Sequence, residues 1–394
     1  MSAIQDAMNA LNSQWYNVLT QQAQLDPSTF QLVQGNMPVG TTSEQLWSMF
    51  DAVPPRSVST FYEPGQISSF SQNYVGVISA LLAQGQLQLA ADMGDYYTQW
   101  NDYKKTISPL PQDNAGWYKA FSSWASANLP QSMVQRSISD FATMLEDPIA
   151  TAADTLIQVS FAPKNPAVYV YTTTYEQLQQ ALNKAQPKTV SMNSETESTD
   201  VSHTWAKTEA SGLFDIFAGE GNASYEQWTS QVIEAGLSIE VSFDKLVTLE
   251  AGPLKQKSSD AVLRDYTPWF NSGALGEGYA NKDNTVWKSG DAITWESTFG
   301  ANGNLQRYAA ALVIVDGITM TMKSSAGIAQ GSQEEFKAAV SAGVWPFFEA
   351  HGEGGWSNEA TFDDSGSVTI TSTCKAGNPQ ILGVIVLPIT SIFS

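Results

Sequence analysis

Near residue 156 the spacing of apolar residues changes from three-and-four to two. That change restricts the chain to folds in which a helical part precedes a sheet-bearing part. Upstream, Ile4, Met8, Leu11, Trp15 and Val18 fall on one helical stripe, with Pro27 just beyond its end. Thr42 and Gln45 form a capping box before a short helix through Leu46, Met49 and Phe50, which Pro54-Pro55 stops. The stretch from Gly65 to Thr106 reads as the longest helical segment, broken near Gly85 or Gly94. Trp117, Phe121 and Trp124 repeat the helical spacing, as do Met133, Ser137, Phe141 and Met144.

Downstream the signals are those of strands. Leu156–Ser160 and Val168–Thr174 are rich in β-branched and aromatic residues, and Tyr175–Gln186 is a single amphipathic helix. In the segment from Leu237 to Leu249, Leu237, Ile239, Val241 and Phe243 face one way while Ser238, Glu240, Ser242 and Asp244 face the other. Ala292–Phe299, Ala309–Lys323, Val368–Cys374 and Ile381–Leu387 are further strand candidates. Asp363–Ser367 is a hairpin loop after Ala360–Phe362, and Gln333–Ala342 is one interrupting helix. The expected fold is therefore α+β, a helical N-terminal half followed by a β-rich C-terminal half built as an antiparallel sheet or sandwich. It divides into a helical domain over 1–155 and a β-rich domain over 156–394, with a hairpin-like segment at about 190–250.

Composition narrows the functional classes. Basic residues number 19 and acidic residues 39, for a net charge of −20, and Lys104-Lys105 is the densest basic spot. Nucleic acids and anionic bilayers attract proteins through basic clusters, so no nucleic-acid partner is expected. Only 15% of residues are charged, against roughly 25% in an ordinary soluble domain, so uncharged polar groups carry much of the solvation. One cysteine, Cys374, rules out an intrachain disulfide, and it is expected half-buried in its strand. The first residues lack a basic segment followed by an apolar stretch. The longest apolar run, Ile381–Ile389, is too short to span a bilayer and contains Pro388. The expectation is a chain made soluble in the cytoplasm, with no Sec signal or transmembrane helix, released if at all by an unconventional route or lysis.

Catalytic signatures are sparse. Neither His203 nor His351 stands near a nucleophile pattern or at metal-ligand spacing. No phosphate-cradling loop is present, and Gly276-x-Gly278 lacks the third glycine of a dinucleotide turn. Ser242-x-x-Lys245 matches a serine–lysine spacing, but in a strand where that chemistry needs a helix start. Asp283, Asp291, Asp363 and Asp364 read as loop residues without cation-site spacing. Asn222-Ala-Ser224 is a glycosylation sequon with no export signal to make use of it. A carboxylate-based hydrolase stays open on composition, since two acids and aromatic platforms suffice, yet nothing selects a pair. No catalytic residue, metal or cofactor is assigned.

One constellation invites a functional reading. The polar run from Ser191 to Asp200 continues to Trp205, an apolar loop bracketed by Gly212 and Gly219 follows, and a second Ser/Thr-bearing arm runs from Ala223 to Ser242. Two such arms meeting at Leu213, Phe214, Ile216 and Phe217 have the layout of a membrane-inserting β-hairpin. The charges Glu195, Glu197, Asp200, Lys207 and Glu209 weigh against it, and the same apolar residues also fit a buried helix or core loop. A smaller constellation, Trp345, Phe347, Phe348 and Trp356 among glycines, suits sugar stacking, a lipid interface or core packing. These residues point to a non-enzymatic membrane-active or binding protein of the toxin or defence type, pore-forming through a β-hairpin. Its partners would be a lipid bilayer or a receptor, and further copies of itself in a homo-oligomer. The alternative is a self-assembling or glycan- or protein-binding interaction protein without membrane activity.

Overall fold

A computed structural model describes residues 3–33, 37–56, 62, 68–111, 113–160, 162, 164, 168–197, 223–282, 286–341 and 355–393. In chain order the elements are α1 (Ala3–Ala23), β1 (Phe30–Leu32), α2 (Ser43–Asp51), α3 (Phe70–Ala80), α4 (Gln84–Met93), α5 (Asp95–Lys104), α6 (Asn114–Asn128), α7 (Gln131–Glu146), α8 (Pro148–Ser160) and α9 (Tyr175–Lys184). They continue with β2 (Lys188–Asn193), α10 (Ala223–Glu234), β3 (Ser238–Glu250), α11 (Ser272–Ala280), α12 (Trp295–Phe299), β4 (Arg307–Ser324), α13 (Gln333–Ser341), β5 (Trp356–Phe362), β6 (Val368–Cys374) and β7 (Gln380–Pro388). The α+β class holds: helices dominate the first half, and an antiparallel sheet fills the second.

From Phe70 onward the predicted segment from Gly65 to Thr106 is three helices, with the expected break at Gly94 and a second one before α4. Leu81–Ala83 separates α3 from α4, and Gly94, at φ +53°, separates α4 from α5; Gly85 lies inside α4. Leu156–Ser160, expected as a strand, is the last part of α8. Asp147 accepts from the N–H groups of Ile149 (2.9 Å) and Ala150 (3.2 Å), and Pro148 opens the helix, so capping fixes the conformation ahead of the β-branched residues. Ala292–Phe299 is likewise helical at its end. Thr294 and Ser297 exchange backbone and side-chain hydrogen bonds in a capping box that starts α12. Val168–Thr174, expected as a strand, stands outside the sheet. It bridges the 252–254 stretch, while the indoles of Trp269 and Trp47 donate to Val170 and Thr173 carbonyls (both 2.7 Å).

β4 is the spine of the sheet. On one side it pairs with β3; on the other, residues 307–315 pair with β7 and residues 318–324 with β6. The full order is β1-β7-β4-β3-β2, with β5 attached to β6. Both faces of β4 are covered from Ala311 to Ile318, which is why that part is nearly continuously apolar, whereas Thr319 and Lys323 beyond it are exposed. Leu312 and Ile314 face a core shared with α2–α9 and α11, whereas Val313 and Val315 face a second core under α1, α10 and α13.

The phase of this alternation reverses in mid-sheet. Ile318, Met320 and Met322 of β4, and Ile239, Val241 and Phe243 of β3, face the second core, but Val247 and Leu249 face the first. The reversal occurs at Asp244–Lys245, opposite Asp316–Gly317, where Gly317 holds φ +66°. Asp316 stabilises the same level: its carboxylate accepts from the N–H groups of Gly377 (2.8 Å) and Asn378 (3.1 Å) and from Lys245 (3.2 Å). A Cβ on Gly317 would meet the Asp244 carboxyl as well as adopt a left-handed backbone. Gly317→Ala is therefore expected to cost about 1–3 kcal/mol in urea unfolding. A loss near zero would show that the strands change face without that turn.

The N-terminal half contributes to the sheet and to its second core. Phe30–Leu32 pairs with β7, and Leu11, Trp15, Val18 and Leu19 of α1 are buried in the second core. The boundary read near 156 falls inside α8.

Candidate functional site at the end of the sheet

β2 and β3 are antiparallel neighbours in unbroken register from Lys188↔Phe243 to Asn193↔Ser238, and Ser194 N–H still reaches Leu237 O at 2.8 Å. Antiparallel neighbours can be joined by two to five residues. Here the connection runs from 195 to 236 and carries α10. At its start, Asn193 nucleates a turn, its side chain accepting from Glu195 N–H (3.0 Å) and its carbonyl from Glu197 N–H (3.0 Å). At its return, Gly236 takes φ +78° before β3 begins.

Between these points α10 lies on the second core through Trp228 and Val232, both buried. Trp228 meets Phe336 of α13 edge-on at 5.4 Å, and Phe336 meets Phe362 of β5 at 5.6 Å. Two hydroxyls from the end of β4 fasten the helix C-terminus. Ser324 donates to Val232 O (3.3 Å) and Ser325 to Ala235 O (3.0 Å), satisfying carbonyls a helix end otherwise leaves open.

The outer edge of β2 is covered by side chains instead of another strand. The Gln22 carboxamide imitates a peptide group, donating to Ser191 O and accepting from Ser191 N–H, both at 2.9 Å. Gln14 donates to Ser194 O (3.4 Å) and Glu197 O (3.2 Å). This is how an edge strand is kept from pairing with another chain.

Of the residues singled out by sequence, Leu213, Phe214, Ile216 and Phe217 lie outside the described residues, as do Trp345, Phe347, Phe348, His203, His351 and Asp283. Trp356 opens β5 opposite Cys374 and is 9% exposed, with its ring in the second core. The second arm, Ala223 to Ser242, divides into helix and strand: α10 occupies its first part and only Ser238 onward is extended. Asp291 and Asp363 hold turns, accepting from Ile293 N–H (3.0 Å) and from Ser365 and Ser367 N–H (2.9 Å each). Those bonds, with the Ser365 and Ser367 hydroxyls, hold the Asp363 carboxyl below its ordinary range. Ser242 and Lys245 sit in β3, with Lys245 paired to Asp316. Cys374 is fully buried, not half-buried, and burial together with the Asp316 charge pushes its thiol up to about 11.

Among the described residues no three His, Cys, Asp or Glu side chains converge as metal ligands, and no helix is long and apolar enough to cross a membrane. The glutamines of α1 and the serines that fasten α10 carried no signal in the sequence, because each acts on an element far along the chain. The chain matches no protein-family model, no curated protein and no solved structure.

Proposed function

We propose that this is a non-enzymatic, membrane-active protein whose 195–236 connection is its effector segment, released from the body to lengthen β2 and β3 into a membrane-inserting hairpin. The observation that carries the reading is the long excursion between two strands already paired in register, with extension beyond Asn193 and Ser238 needing no change in their existing pairing. Release breaks the two serine contacts and uncovers Trp228 and Val232, at about 1.5–3 kcal/mol for each side chain. Four apolar residues entering lipid, Leu213, Phe214, Ile216 and Phe217, offset that cost on the same scale. Closing a barrel requires several copies, because lipid leaves no open edge unpaired. The net charge of −20 opposes anionic bilayers and favours zwitterionic or sterol-containing ones.

Liposome dye release and flotation test the proposal. Wild type is expected to release dye from zwitterionic, sterol-containing vesicles, and more weakly from anionic ones. Phe214→Asp is expected to lose most of the release while unfolding at the same urea concentration. A wild-type protein that ignores every bilayer composition, sterol included, sinks the proposal. The alternative, a self-assembling interaction protein, would have to use a surface other than the β2 edge, whose Ser191 backbone Gln22 already satisfies. A monomer in sedimentation at micromolar concentration, with no binding on a glycan array, removes it.

A further inference from the structure

A cleft of about 430 Å³ opens between α3, α4 and α8, on the helical side of the molecule and away from the sheet end described above. Its walls are aliphatic, chiefly Val75, Ile78, Leu82, Leu87, Ile149 and Ile157. Leu87 and Ile157 are 53% and 40% exposed, two of four large apolar side chains so exposed among the described residues. Isolated exposed leucines are ordinary, but two on opposing walls of one apolar cleft make a continuous surface.

A single cation stands in the lining. Lys288 is placed there by backbone: its N–H donates to Ala80 O (2.9 Å), Leu82 N–H donates to Val286 O (2.7 Å), and Leu81 bridges Trp287 between them. Its ammonium donates to the Ser79 carbonyl, and none of the ion pairs among the described residues involves it. In a chain with twice as many acids as bases, a lysine without an ion-pair partner among the described residues, at the mouth of an aliphatic cleft, is a specific arrangement. Ser79, Gln86 and Ser160 also line the cleft, but their donors are engaged by Val75 O, Tyr97 Oη and Ile157 O, which leaves Lys288 as the group that orients a ligand.

We infer that this cleft binds a free anionic single-chain amphiphile of the fatty-acid class, with its carboxylate at Lys288 and its chain between α3, α4 and α8. The volume lies in the range of small-molecule sites, roughly 300–1,000 Å³. It accommodates one alkyl chain. The inference is independent of the hairpin proposal, and Phe214→Asp binds such a ligand as wild type does.

Calorimetric titration of the full chain with decanoate, dodecanoate and tetradecanoate below their micelle concentrations tests it, with dodecanol as the uncharged control. Each added methylene is expected to tighten binding by up to about fourfold. Lys288→Glu should weaken dodecanoate by about tenfold or more, one misplaced charge being worth at least that at a half-open site, and leave dodecanol unchanged. Ile157→Asp should weaken both ligands; each replaced side chain is exposed, and a urea melt confirms that the variants fold. Absence of dodecanoate binding at millimolar concentration overturns the inference. So does an affinity that is the same in wild type and Ile157→Asp, or one that Lys288→Glu leaves unchanged.

Discussion

Replacing Asp51 with alanine is expected to lower stability by about 3–5 kcal/mol. Asp51 ends α2 and is 8% exposed. Its carboxyl accepts from Ser71 N–H (2.9 Å) and Ser71 Oγ (2.7 Å) at the start of α3, and from Tyr171 Oη (2.9 Å) just before α9. Alanine leaves Ser71 N–H and Tyr171 Oη without an acceptor, each costing about 1–3 kcal/mol, while Ser71 Oγ retains Ser69 Oγ at 3.3 Å. Tyr171 cannot turn to water, because it is 1% exposed and stacked on Phe50 at 5.8 Å. Urea unfolding of Asp51→Ala beside wild type measures the loss. A change below about 1 kcal/mol would mean that water enters and replaces the carboxyl.

The same group makes stability depend on pH. Burial raises the Asp51 carboxyl above its ordinary value, although the Ser71 and Tyr171 bonds pull the other way. A raised value means that the folded chain holds the proton more tightly than the unfolded chain. The resulting stabilisation is complete below the ordinary carboxylate range and is lost as the pH rises through the raised Asp51 value. Asp51→Asn keeps an acceptor and removes the titration. Wild type is therefore expected to lose ground to Asp51→Asn as the pH rises from the ordinary carboxylate range through the raised Asp51 value. A constant difference across that range would assign the pH response to other groups.

Local signals in the sequence were reliable where one element's own residues decide its conformation. The alternation from Leu237 to Phe243 located β3, and the Asp363–Ser367 turn located the β5–β6 hairpin. Leu156–Ser160 misled because β-branched residues were weighed without the Asp147–Pro148 start that commits α8. Thr294 and Ser297 similarly outweighed the strand character before Phe299. The reversal of phase at Gly317 was not legible, since it depends on β3 and β4 turning together. Asp51 and Gln22 were invisible for the same reason: their partners lie 120 and 169 residues away. Of the candidate site, β3 was legible in the alternation, while the seat of α10 depended on Ser324 and Ser325 at the end of β4.

Lys104→Met is expected to cost about 3–5 kcal/mol, and Asp154→Leu about the same, whereas the double variant recovers most of the loss. Lys104 ends α5 and Asp154 lies in α8; the ammonium bonds both carboxylate oxygens, at 2.8 and 3.1 Å, with the side chains 7% and 11% exposed. An ion pair so far from water is stabilised little relative to an apolar pair of the same size, because both charges had to be desolvated. Removing one partner is different, for the other charge stays buried without compensation. The cation also stands 5.9 Å from the Trp100 ring and at the C-terminal end of its helix, so Lys104 has support that Asp154 lacks. Lys104→Met should therefore be the worse of the two single changes. A double-mutant cycle in urea isolates the coupling, and single losses below about 1 kcal/mol would place the pair in effective contact with solvent. The cycle also bears on the cleft, because Asp154 is followed on α8 by Leu156 and Ile157, which line it. A loosened α8 should then weaken dodecanoate in the single variants and restore it in the double one, a pattern that a ligand bound elsewhere would not follow.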